Sequence, residues 1–245
     1  EIGPGEVLIR VAAAGVNAPD LAQRRGAYPP PPGASPLPGL EVSGEIVARG
    51  AGAERHALGA PVVALCNGGG YAEYVAVPEG QVLPRPKNWS FAAAAALPET
   101  YFTIQQTLVM KAGLEPGMWV LVHGAAGGIG GAAISIAKAY GARPIAIVSS
   151  PDKAAYARSL GAVDVIDRRR EDILARVGGI TGGHGADRVV DIVGGETLGI
   201  SLAACALEAH ILVLATLSGT QAQINAGLIV SRRLTLHGST LRPQI

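Results

Sequence analysis

Two patterns of apolar and polar positions divide the chain near residue 97. Up to that point, short β-prone runs such as EVLIRVAA (6–13) and LEVSGEIVARG (40–50) are separated by glycine and proline. Short runs bounded by turn residues predict a small, mostly antiparallel β domain over residues 1–97. The proline-rich stretch at 27–39 predicts a stiff loop, which is either a solvated linker or one wall of a pocket.

From residue 98 onward, apolar strands alternate with helices. WVLVHGA (119–125) has the character of a strand and GGAAISIAKAYG (130–141) that of a helix, and the alternation continues to the strands HILVLATLS (210–218) and RLTLHGST (233–240). This alternation predicts parallel βαβ units in a doubly wound α/β sheet. Strands that are almost entirely apolar are expected where helices cover both faces of a sheet. We therefore predict a second domain over residues 98–245.

The segment HGAAGGIGGAA (123–133) joins the first strand of the predicted parallel sheet to its helix. At this position the pyrophosphate of a dinucleotide can approach bare backbone at a helix N-terminus. The spacing G-x-x-G-G-x-G departs from the strict G-x-G-x-x-G, so a simple tight turn is the alternative. The strand before the segment and the helix after it favour nucleotide binding. The predicted cofactor contacts are Gly124, Gly127, Gly128, Ile129 and Gly130.

The end of the second parallel strand indicates which dinucleotide is bound. An acid about twenty residues beyond the glycine loop is typical of proteins that bind NAD, whereas this chain has Ser149, Ser150 and Lys153 in that region. Hydroxyl and ammonium groups suit a 2′-phosphate, so we predict NADP(H) as the cofactor. Asp152 complicates this prediction, but at a helix start it caps the helix or faces solvent. Arg168, after the third strand, is a second candidate phosphate contact. The alternative is that it belongs to a solvent-exposed segment where the next helix begins.

Composition narrows the class of protein. Hydrophobic residues make up 49% of the 245 residues and the formal net charge is +1, which indicates a globular protein with no electrostatic case for binding nucleic acid. Two distant cysteines exclude a disulfide framework and fit a reducing, cytoplasmic compartment. No apolar stretch has the length of a membrane helix, so no membrane partner is expected. The sequence begins within a predicted strand, and we expect it to be a piece of a longer protein.

Motifs from both halves together resemble the zinc-independent quinone oxidoreductases of the medium-chain dehydrogenase/reductase superfamily. They are AAGVNAPDLAQRRGAYPPPPGAS, PGLEVSGEIVARG, NGGGYAEYVAVPEG, ALPETYFTIQQTL, VLVHGAAGGIGGAAISIAK and DIVGG. The first motif is most similar to the branch that contains the p53-inducible quinone oxidoreductase homologue. The resemblance implies a GroES-like catalytic domain, a Rossmann domain and an active site in the cleft between them. It also implies family segments beyond both ends of this chain.

The residues at the zinc positions of the superfamily argue against a catalytic metal. Zinc-dependent relatives carry a cysteine near the position of Asn17 and a histidine at the position of Leu40. Neither an amide nor a leucine is a plausible ligand for catalytic zinc, and the five histidines lack ligand spacing. We therefore expect hydride transfer to an acceptor that needs no Lewis acid. A quinone qualifies, because its reduced form is aromatic.

The resemblance assigns catalytic roles to two residues of the first half. Asn17 lines the nicotinamide and substrate cleft, where its amide can hold an oxygen or an amide group. Tyr28 donates a hydrogen bond or a proton to the developing oxyanion, although an aromatic ring packed on prolines is the alternative. Asp20 matches an acid of the family motif but can simply position its turn. Glu41 is expected to be a buried, paired carboxylate.

The resemblance also assigns cofactor contacts in the second half. Thr103 lies near the nicotinamide. The alternative is that its hydroxyl is simply buried within a helix. The other contacts follow the later strands and the tail HGSTLR, and they are Gly194, Leu217, Ser218, Leu241 and Arg242. Ala209 stands where such sequences commonly carry glycine, so we expect a looser or differently shaped turn there.

The leading hypothesis is an NADPH-dependent quinone reductase acting on a small electrophilic substrate. Two alternatives stay open. One is the NADPH-dependent reduction of an activated C=C bond, in an enone or enoyl thioester, with Tyr28 as the proton donor. The other is an NADPH-binding protein without turnover. The resemblance further implies a homodimer paired through the edge of the Rossmann sheet, because segment 221–240 contains an apolar strand that would otherwise leave an exposed edge.

Overall fold

The computed structural model describes residues 2–241. They form two compact units, one comprising the chain up to Phe102 together with Leu241, and the other comprising Thr103–Thr240. The division falls inside a helix that runs from Pro98 to Ile104. Each unit contains its own sheet.

The first unit is built on a five-stranded antiparallel sheet with the order β4-β1-β2-β3-β5. The strands are β1 (Glu6–Ala14), β2 (Glu41–Arg49), β3 (Pro61–Leu65), β4 (Tyr74–Pro78) and β5 (Val82–Pro84). Alternate side chains of β1, those of Val7 and Ile9, are completely buried in the core of this unit. Burial with a period of two is the expected pattern for a strand with one covered face. The prediction of an antiparallel β domain is confirmed.

Short helices complete the first unit. They are α1 (Ala18–Arg24), α2 (Phe91–Ala94) and the first part of α3 (Pro98–Ile104), with a 3₁₀ turn at Glu79–Gln81. The strand-like pattern of this half did not predict α1. Its start carries a local signal, because the Asp20 carboxylate accepts a hydrogen bond from the backbone N–H of Asn17 at 2.9 Å and a proline stands near the first helical position.

The second unit is built on a six-stranded parallel sheet with the order β11-β10-β9-β6-β7-β8. The strands are β6 (Trp119–Val122), β7 (Arg143–Val148), β8 (Asp164–Asp167), β9 (Ala186–Asp191), β10 (Cys205–Val213) and β11 (Thr235–Gly238). Counted from β6, this is the 3-2-1-4-5-6 order of a dinucleotide-binding sheet. The predicted α/β fold with a doubly wound parallel sheet is confirmed.

Helices connect these strands. After a π-helix at Gln105–Lys111 come α4 (Gly128–Ala139), α5 (Pro151–Leu160), α6 (Ile173–Thr181), α7 (Glu196–Ala204) and α8 (Ala226–Arg232). The core between helices and sheet includes Leu121, Ile145 and Ile211, each completely buried. Among the described residues, no helix combines the length and apolar character required to cross a membrane.

The connection between α7 and β10 differs from the prediction. Apolar residues up to Leu207 predicted a longer helix, but α7 ends at Ala204 and β10 begins at the next residue. The pairing of β10 with β9 is irregular before His210, and Glu208 has a left-handed φ of 60°. A conformation that suits glycine is therefore adopted by Glu208, next to Ala209, and the irregularity lies within β10 instead of in the turn that was expected there.

The strand order places the glycine segment at a defined point of the sheet. β6 pairs in parallel with β7 on one side and with β9 on the other. In doubly wound sheets, ligands bind beyond the carboxyl ends of the strands where the order reverses, and here that point lies between β6 and β9. The segment that follows β6 is therefore located where a ligand is expected.

Candidate active site

The first unit places two buried carboxylates beside Asn17. Glu41, only 2% exposed, accepts hydrogen bonds from Asn17 Nδ2 and from the backbone N–H of Glu99, each at 2.8 Å. Asp20 accepts hydrogen bonds from the backbone N–H groups of Asn17 and Gly39, each at 2.9 Å. The Asn17 amide is thus fixed by Glu41, while Asp20 fixes the backbone at the start of α1.

Burial dominates the electrostatics of Glu41. It raises the pKa of this carboxyl above its ordinary value, and the nearby Asp20 charge acts in the same direction, whereas the hydrogen bonds from Asn17 and Glu99 lower it. A carboxylate in such a position is retained because its oxygens are satisfied by donors. The structure therefore agrees with the expectation that Glu41 is buried and paired.

Tyr71 is a phenol near this cluster that the sequence analysis did not single out. Its hydroxyl donates to the carbonyl of Gly15 at 3.2 Å, and burial, followed by the nearby Asp20 carboxylate, raises its pKa to about 12. The Gly70 N–H donates to the Gly39 carbonyl at 3.1 Å, which joins the loop of Tyr71 to the proline-rich loop. Gly39 has a φ of 105°, and a Cβ there would strike the backbone of Tyr71. The run of glycines before Tyr71 was the available sequence signal.

The remaining predicted residues of the first unit lie in or near the proline-rich loop. Tyr28 is half-buried at a bend in that loop. Leu40 is 1% exposed, so an apolar side chain is buried at the position where zinc-dependent relatives carry histidine. Within residues 2–241, no three His, Cys, Asp or Glu side chains are grouped as a metal site would require.

The glycines after β6 fall into two classes in the structure. Gly124 has a φ of 65°, and a Cβ there would lie 2.7 Å from the Ile192 side chain. A Cβ on Gly130 would strike the carbonyl of Gly124 and the backbone of Ala125. These two glycines are therefore required by packing inside the protein.

Gly127 and Gly128 belong to the second class, because both are exposed at the start of α4. A Cβ on Gly127 would come no closer than 3.4 Å to any protein atom, and its φ is −87°. No side chain caps α4, and the first N–H groups of an α-helix have no partner within the helix. Ile129, half-buried, lies in the same turn. Exposed backbone at the N-terminus of a twelve-residue helix fits a pyrophosphate.

The residues predicted to select the cofactor gather at the ends of β7 and β8. Lys153 Nζ donates to Ser149 Oγ at 3.3 Å. Ser150 caps α5 by accepting from the backbone N–H of Lys153 at 3.5 Å, and Asp152 is exposed. The backbone N–H of Arg168 donates to the carbonyl of Val148 at 3.0 Å. Hydroxyl, ammonium and guanidinium groups therefore lie at the carboxyl ends of two neighbouring strands.

The turn after β9 contains Gly194 and is tied to the segment after β10. Ser218 Oγ donates to the carbonyl of Gly194 at 2.8 Å, and Gly194 forms an isolated bridge with Gly219. Leu217 is 70% exposed beside it. The parallel pairing of β6, β9 and β10 places this turn along the same edge of the sheet as the glycine segment.

Three further predicted cofactor contacts do not belong to these turns in the sequence. Thr103 is half-buried in α3, where its carbonyl accepts a hydrogen bond from the Thr107 hydroxyl at 2.7 Å. Leu241 belongs to the first unit together with Asn17 and Tyr28. Arg242 lies outside the described residues.

Family models match both parts of the chain. Residues 3–87 match the alcohol dehydrogenase GroES-like domain, and residues 128–244 match the zinc-binding dehydrogenase model. The two matches correspond to the antiparallel sheet of the first unit and to the parallel sheet of the second from α4 onward.

Individual proteins match over nearly the whole chain. A quinone oxidoreductase-like protein 2 homologue of Nematostella vectensis is 34% identical over 97% of this chain and 65% of its own length. A quinone oxidoreductase of Pseudomonas aeruginosa is 36% identical over 94% of this chain and 70% of its own length. The human quinone oxidoreductase is 30% identical over 96% of this chain and 71% of its own length. The chain thus spans about two thirds of the length of these relatives.

Solved structures agree with these relatives. A crystal structure titled NAD-dependent alcohol dehydrogenase has a TM-score of 0.88 and 35% identity, covering 100% of this chain and 80% of the other. Escherichia coli quinone oxidoreductase complexed with NADPH has a TM-score of 0.85 and 30% identity, covering 99% and 75%. The CurK enoyl reductase has a TM-score of 0.86 and 29% identity, covering 99% and 75%. The fold, the glycine turn and these relatives together show that the chain belongs to the medium-chain dehydrogenase/reductase superfamily, in keeping with its zinc-independent quinone oxidoreductase branch.

Proposed function

We propose that this chain provides the catalytic and nucleotide-binding parts of an NADPH-dependent oxidoreductase that reduces quinones without a catalytic metal. The observation that carries the proposal is the exposed, side-chain-free start of α4 at Gly127 and Gly128, directly beyond β6. Packing against the described residues does not require glycine at position 127, because a Cβ there comes no closer than 3.4 Å to any of them apart from its chain neighbours. A pyrophosphate that approaches the backbone explains why this position carries no side chain.

The choice of NADPH over NADH is supported by the group of Ser149, Lys153 and Arg168. Lys153 already contacts the Ser149 hydroxyl at 3.3 Å, so an ammonium and a hydroxyl can bind one phosphate together. Asp152, the acid nearest to these residues in the sequence, is exposed in the first turn of α5, where a negative charge suits the helix N-terminus. Two relatives were solved in complex with NADPH, whereas another is described as an NAD-dependent alcohol dehydrogenase.

A reduced nicotinamide supplies the hydride, and the chain supplies position and hydrogen bonds. Glu41 fixes the amide of Asn17 by accepting from its Nδ2, so the amide is held in one orientation to bind a substrate or cofactor oxygen. Tyr28 carries a phenol that donates a hydrogen bond or a proton to the oxygen that becomes negative. In this proposal Asn17 and Tyr28 are the catalytic residues.

The side chains at the zinc positions support an acceptor that needs no Lewis acid. Leu40 is buried and apolar, and the amide of Asn17 is committed to Glu41. Neither side chain is a zinc ligand. A quinone accepts hydride unaided because aromaticity is gained in the product.

Reduction of an activated C=C bond is the second candidate function, and the likeness to the CurK enoyl reductase favours it. The same hydride donor would serve, with Tyr28 as the proton donor. Steady-state oxidation of NADPH with a benzoquinone or with an enone as the sole acceptor separates the two functions. We expect turnover with the quinone to be at least tenfold faster, and the opposite ranking would replace quinone reduction with C=C reduction. Tight NADPH binding without oxidation by either acceptor would instead support a binding protein without turnover.

We further propose that the protein acts in the cytoplasm as a homodimer paired through β11. This strand is one of the two outer strands of the parallel sheet, the other being β8, and Leu236 on β11 and Val230 on the preceding helix α8 are 37% and 79% exposed. An outer strand presents unpaired backbone groups that a second copy can cover.

A further inference from the structure

A buried chain of polar side chains begins at the end of β9. Asp191 is completely buried, and its carboxylate accepts hydrogen bonds from the backbone N–H groups of Val193 and Gly194, both at 2.9 Å. The Thr197 hydroxyl donates to the same carboxylate at 2.9 Å. These hydrogen bonds hold the turn that leads from β9 into α7.

Ser201 extends this chain from Asp191 to His123. Its hydroxyl lies 3.1 Å from Asp191 Oδ2 and 3.1 Å from His123 Nε2, and all three side chains are buried. A hydroxyl has one proton to donate, and a carboxylate only accepts, so the Ser201 proton is donated to Asp191. His123 Nε2 must therefore donate its own proton to the Ser201 oxygen.

This assignment requires a proton on Nε2 of His123. Burial lowers the pKa of His123 below its ordinary value, and the positive charge of Arg168 adds to this effect, whereas the negative charge of Asp191 opposes it. The neutral imidazole is the form that the surroundings favour at neutral pH.

The polar chain joins the turn after β6 to the turn after β9, which lie on either side of the place where the strand order reverses. His123 directly precedes Gly124, and its backbone N–H donates to the carbonyl of Val190 in β9 at 2.9 Å. Ile192, from the turn after β9, packs against Gly124 so closely that a Cβ there would lie 2.7 Å away. The glycine turn is therefore attached to its neighbour through backbone, apolar and polar contacts.

We propose that Ser201 is a positioning residue for the dinucleotide, because it links His123 to Asp191 and so holds the glycine turn and the Gly194 turn at a fixed separation. The inference rests on the proposed function, since it concerns a nucleotide bound at these turns. Binding groups held in place before the ligand arrives bind it more tightly, because less ordering accompanies binding. Loss of the Ser201 hydroxyl therefore weakens NADPH binding beyond any effect on the fold.

The test compares Ser201→Ala with Thr181→Val. Thr181 is also buried and makes two hydrogen bonds, to the Val177 carbonyl at 2.7 Å and from the Gly185 N–H at 2.9 Å, but it lies at the far end of α6 from these turns. Titration calorimetry with NADPH is expected to show a Kd about 5- to 30-fold higher for Ser201→Ala, the effect of one or two lost hydrogen bonds. Thr181→Val is expected to lower Tm while its Kd stays within about twofold of wild type.

A second pair of variants keeps the test decisive if Ser201→Ala does not fold. Thr197→Val removes the hydroxyl that donates to Asp191, and Thr197→Ser retains it, so the Kd rises in the first and is restored in the second. At saturating NADPH, kcat is expected to stay near the wild-type value while the KM for NADPH follows the Kd. A role in the fold alone would lower Tm in both hydroxyl-free variants without moving either constant.

The outcomes separate this inference from the proposed function. If the wild-type chain binds NADPH and both Ser201→Ala and Thr197→Val bind it equally well, the inference is overturned and the proposed function stands. If the wild-type chain binds neither NADPH nor NADH, the proposed function is wrong and this inference is withdrawn with it.

Discussion

At the scale of single residues, one short turn uses glycine for two different reasons. Gly124 and Gly130 have no room for a Cβ because protein atoms occupy the space, whereas Gly127 is exposed and a Cβ there would make only ordinary van der Waals contacts at 3.4 Å or more. The sequence predicted the turn and its glycines together, but it could not separate these two roles. The role of Gly124 depends on Ile192, a residue of another turn, and that of Gly130 depends on how the backbone of Gly124 and Ala125 folds back.

The carboxylate of Glu41 provides the first prediction. Glu41→Ala leaves Asn17 Nδ2 and the buried N–H of Glu99 without their acceptor, and we expect a loss of about 2–4 kcal/mol in the free energy of unfolding. Glu45→Ala is the control, because Glu45 pairs with Arg10 at the surface, where an ion pair contributes about 0–1 kcal/mol. Urea denaturation measures both variants, and equal losses would contradict the role given to Glu41.

The buried imidazole of His123 provides a prediction about pH. Because burial lowers the pKa of His123 in the folded state, the unfolded chain binds this proton first as the pH falls below about 6.5. The free energy of unfolding should therefore fall by up to about 1.4 kcal/mol per pH unit below that value through this group. His123→Gln removes this contribution. The difference in the free energy of unfolding between wild type and variant should therefore change between pH 7.5 and 5.5. Parallel pH curves from urea denaturation would show that His123 is not held neutral.

At the scale of helices and strands, apolar patterning predicted the parallel sheet well and the short helices poorly. The strands of the second unit are nearly all apolar because helices cover them, and this pattern is visible in the sequence. α1 and α8 each contain seven residues, about two helical turns, so a helical period hardly has room to appear. Their capping residues, Asn17 and Asn225, were the better signal.

The α5 helix provides a prediction about cofactor choice. Lys153→Ala removes the ammonium that lies 3.3 Å from Ser149 Oγ, and loss of a charged hydrogen bond to phosphate should reduce the preference for NADPH over NADH by about 10-fold or more. Lys138→Ala, which removes an exposed cation from the last turn of α4, should leave the preference within about twofold, because that turn is at the opposite end of α4 from the glycine segment and an exposed charge there is screened. The ratio of the two Kd values measures this preference, and an unchanged ratio in Lys153→Ala would remove the assigned phosphate contact.

At the scale of the whole molecule, contacts between distant parts of the sequence build the candidate site. Asn17 is hydrogen-bonded to Glu41, and His123 is connected to Asp191 by hydrogen bonds through Ser201. No local pattern encodes such pairings, so the resemblance to a family indicated Asn17 as a site residue but not the partner that orients it. The polar chain through Ser201 was missed because isolated serine and histidine residues have no characteristic spacing.

The proposed homodimer is tested with exposed valines at opposite edges of the parallel sheet. Val230→Asp places a charge on α8, the helix that leads into β11, and Val163→Asp places one just before β8; these side chains are 79% and 53% exposed. Light scattering should give the mass of two chains for wild type and Val163→Asp, and a monomer for Val230→Asp, because a buried unpaired charge opposes association. A monomeric wild type, or dimers of all three proteins, would contradict pairing through β11.

The most direct test of the account is NADPH binding by Gly127→Ala. The position has a φ of −87° and free space for a methyl group, so the variant should fold with a Tm close to that of wild type. Gly178→Ala in α6, where a Cβ meets no protein atom within 4 Å, is the control. We expect calorimetry to show a Kd for NADPH at least about 10-fold higher for Gly127→Ala, because the methyl group occupies the path of the pyrophosphate, and an unchanged Kd for Gly178→Ala. Equal NADPH affinity in wild type and Gly127→Ala would show that the nucleotide does not bind at this turn.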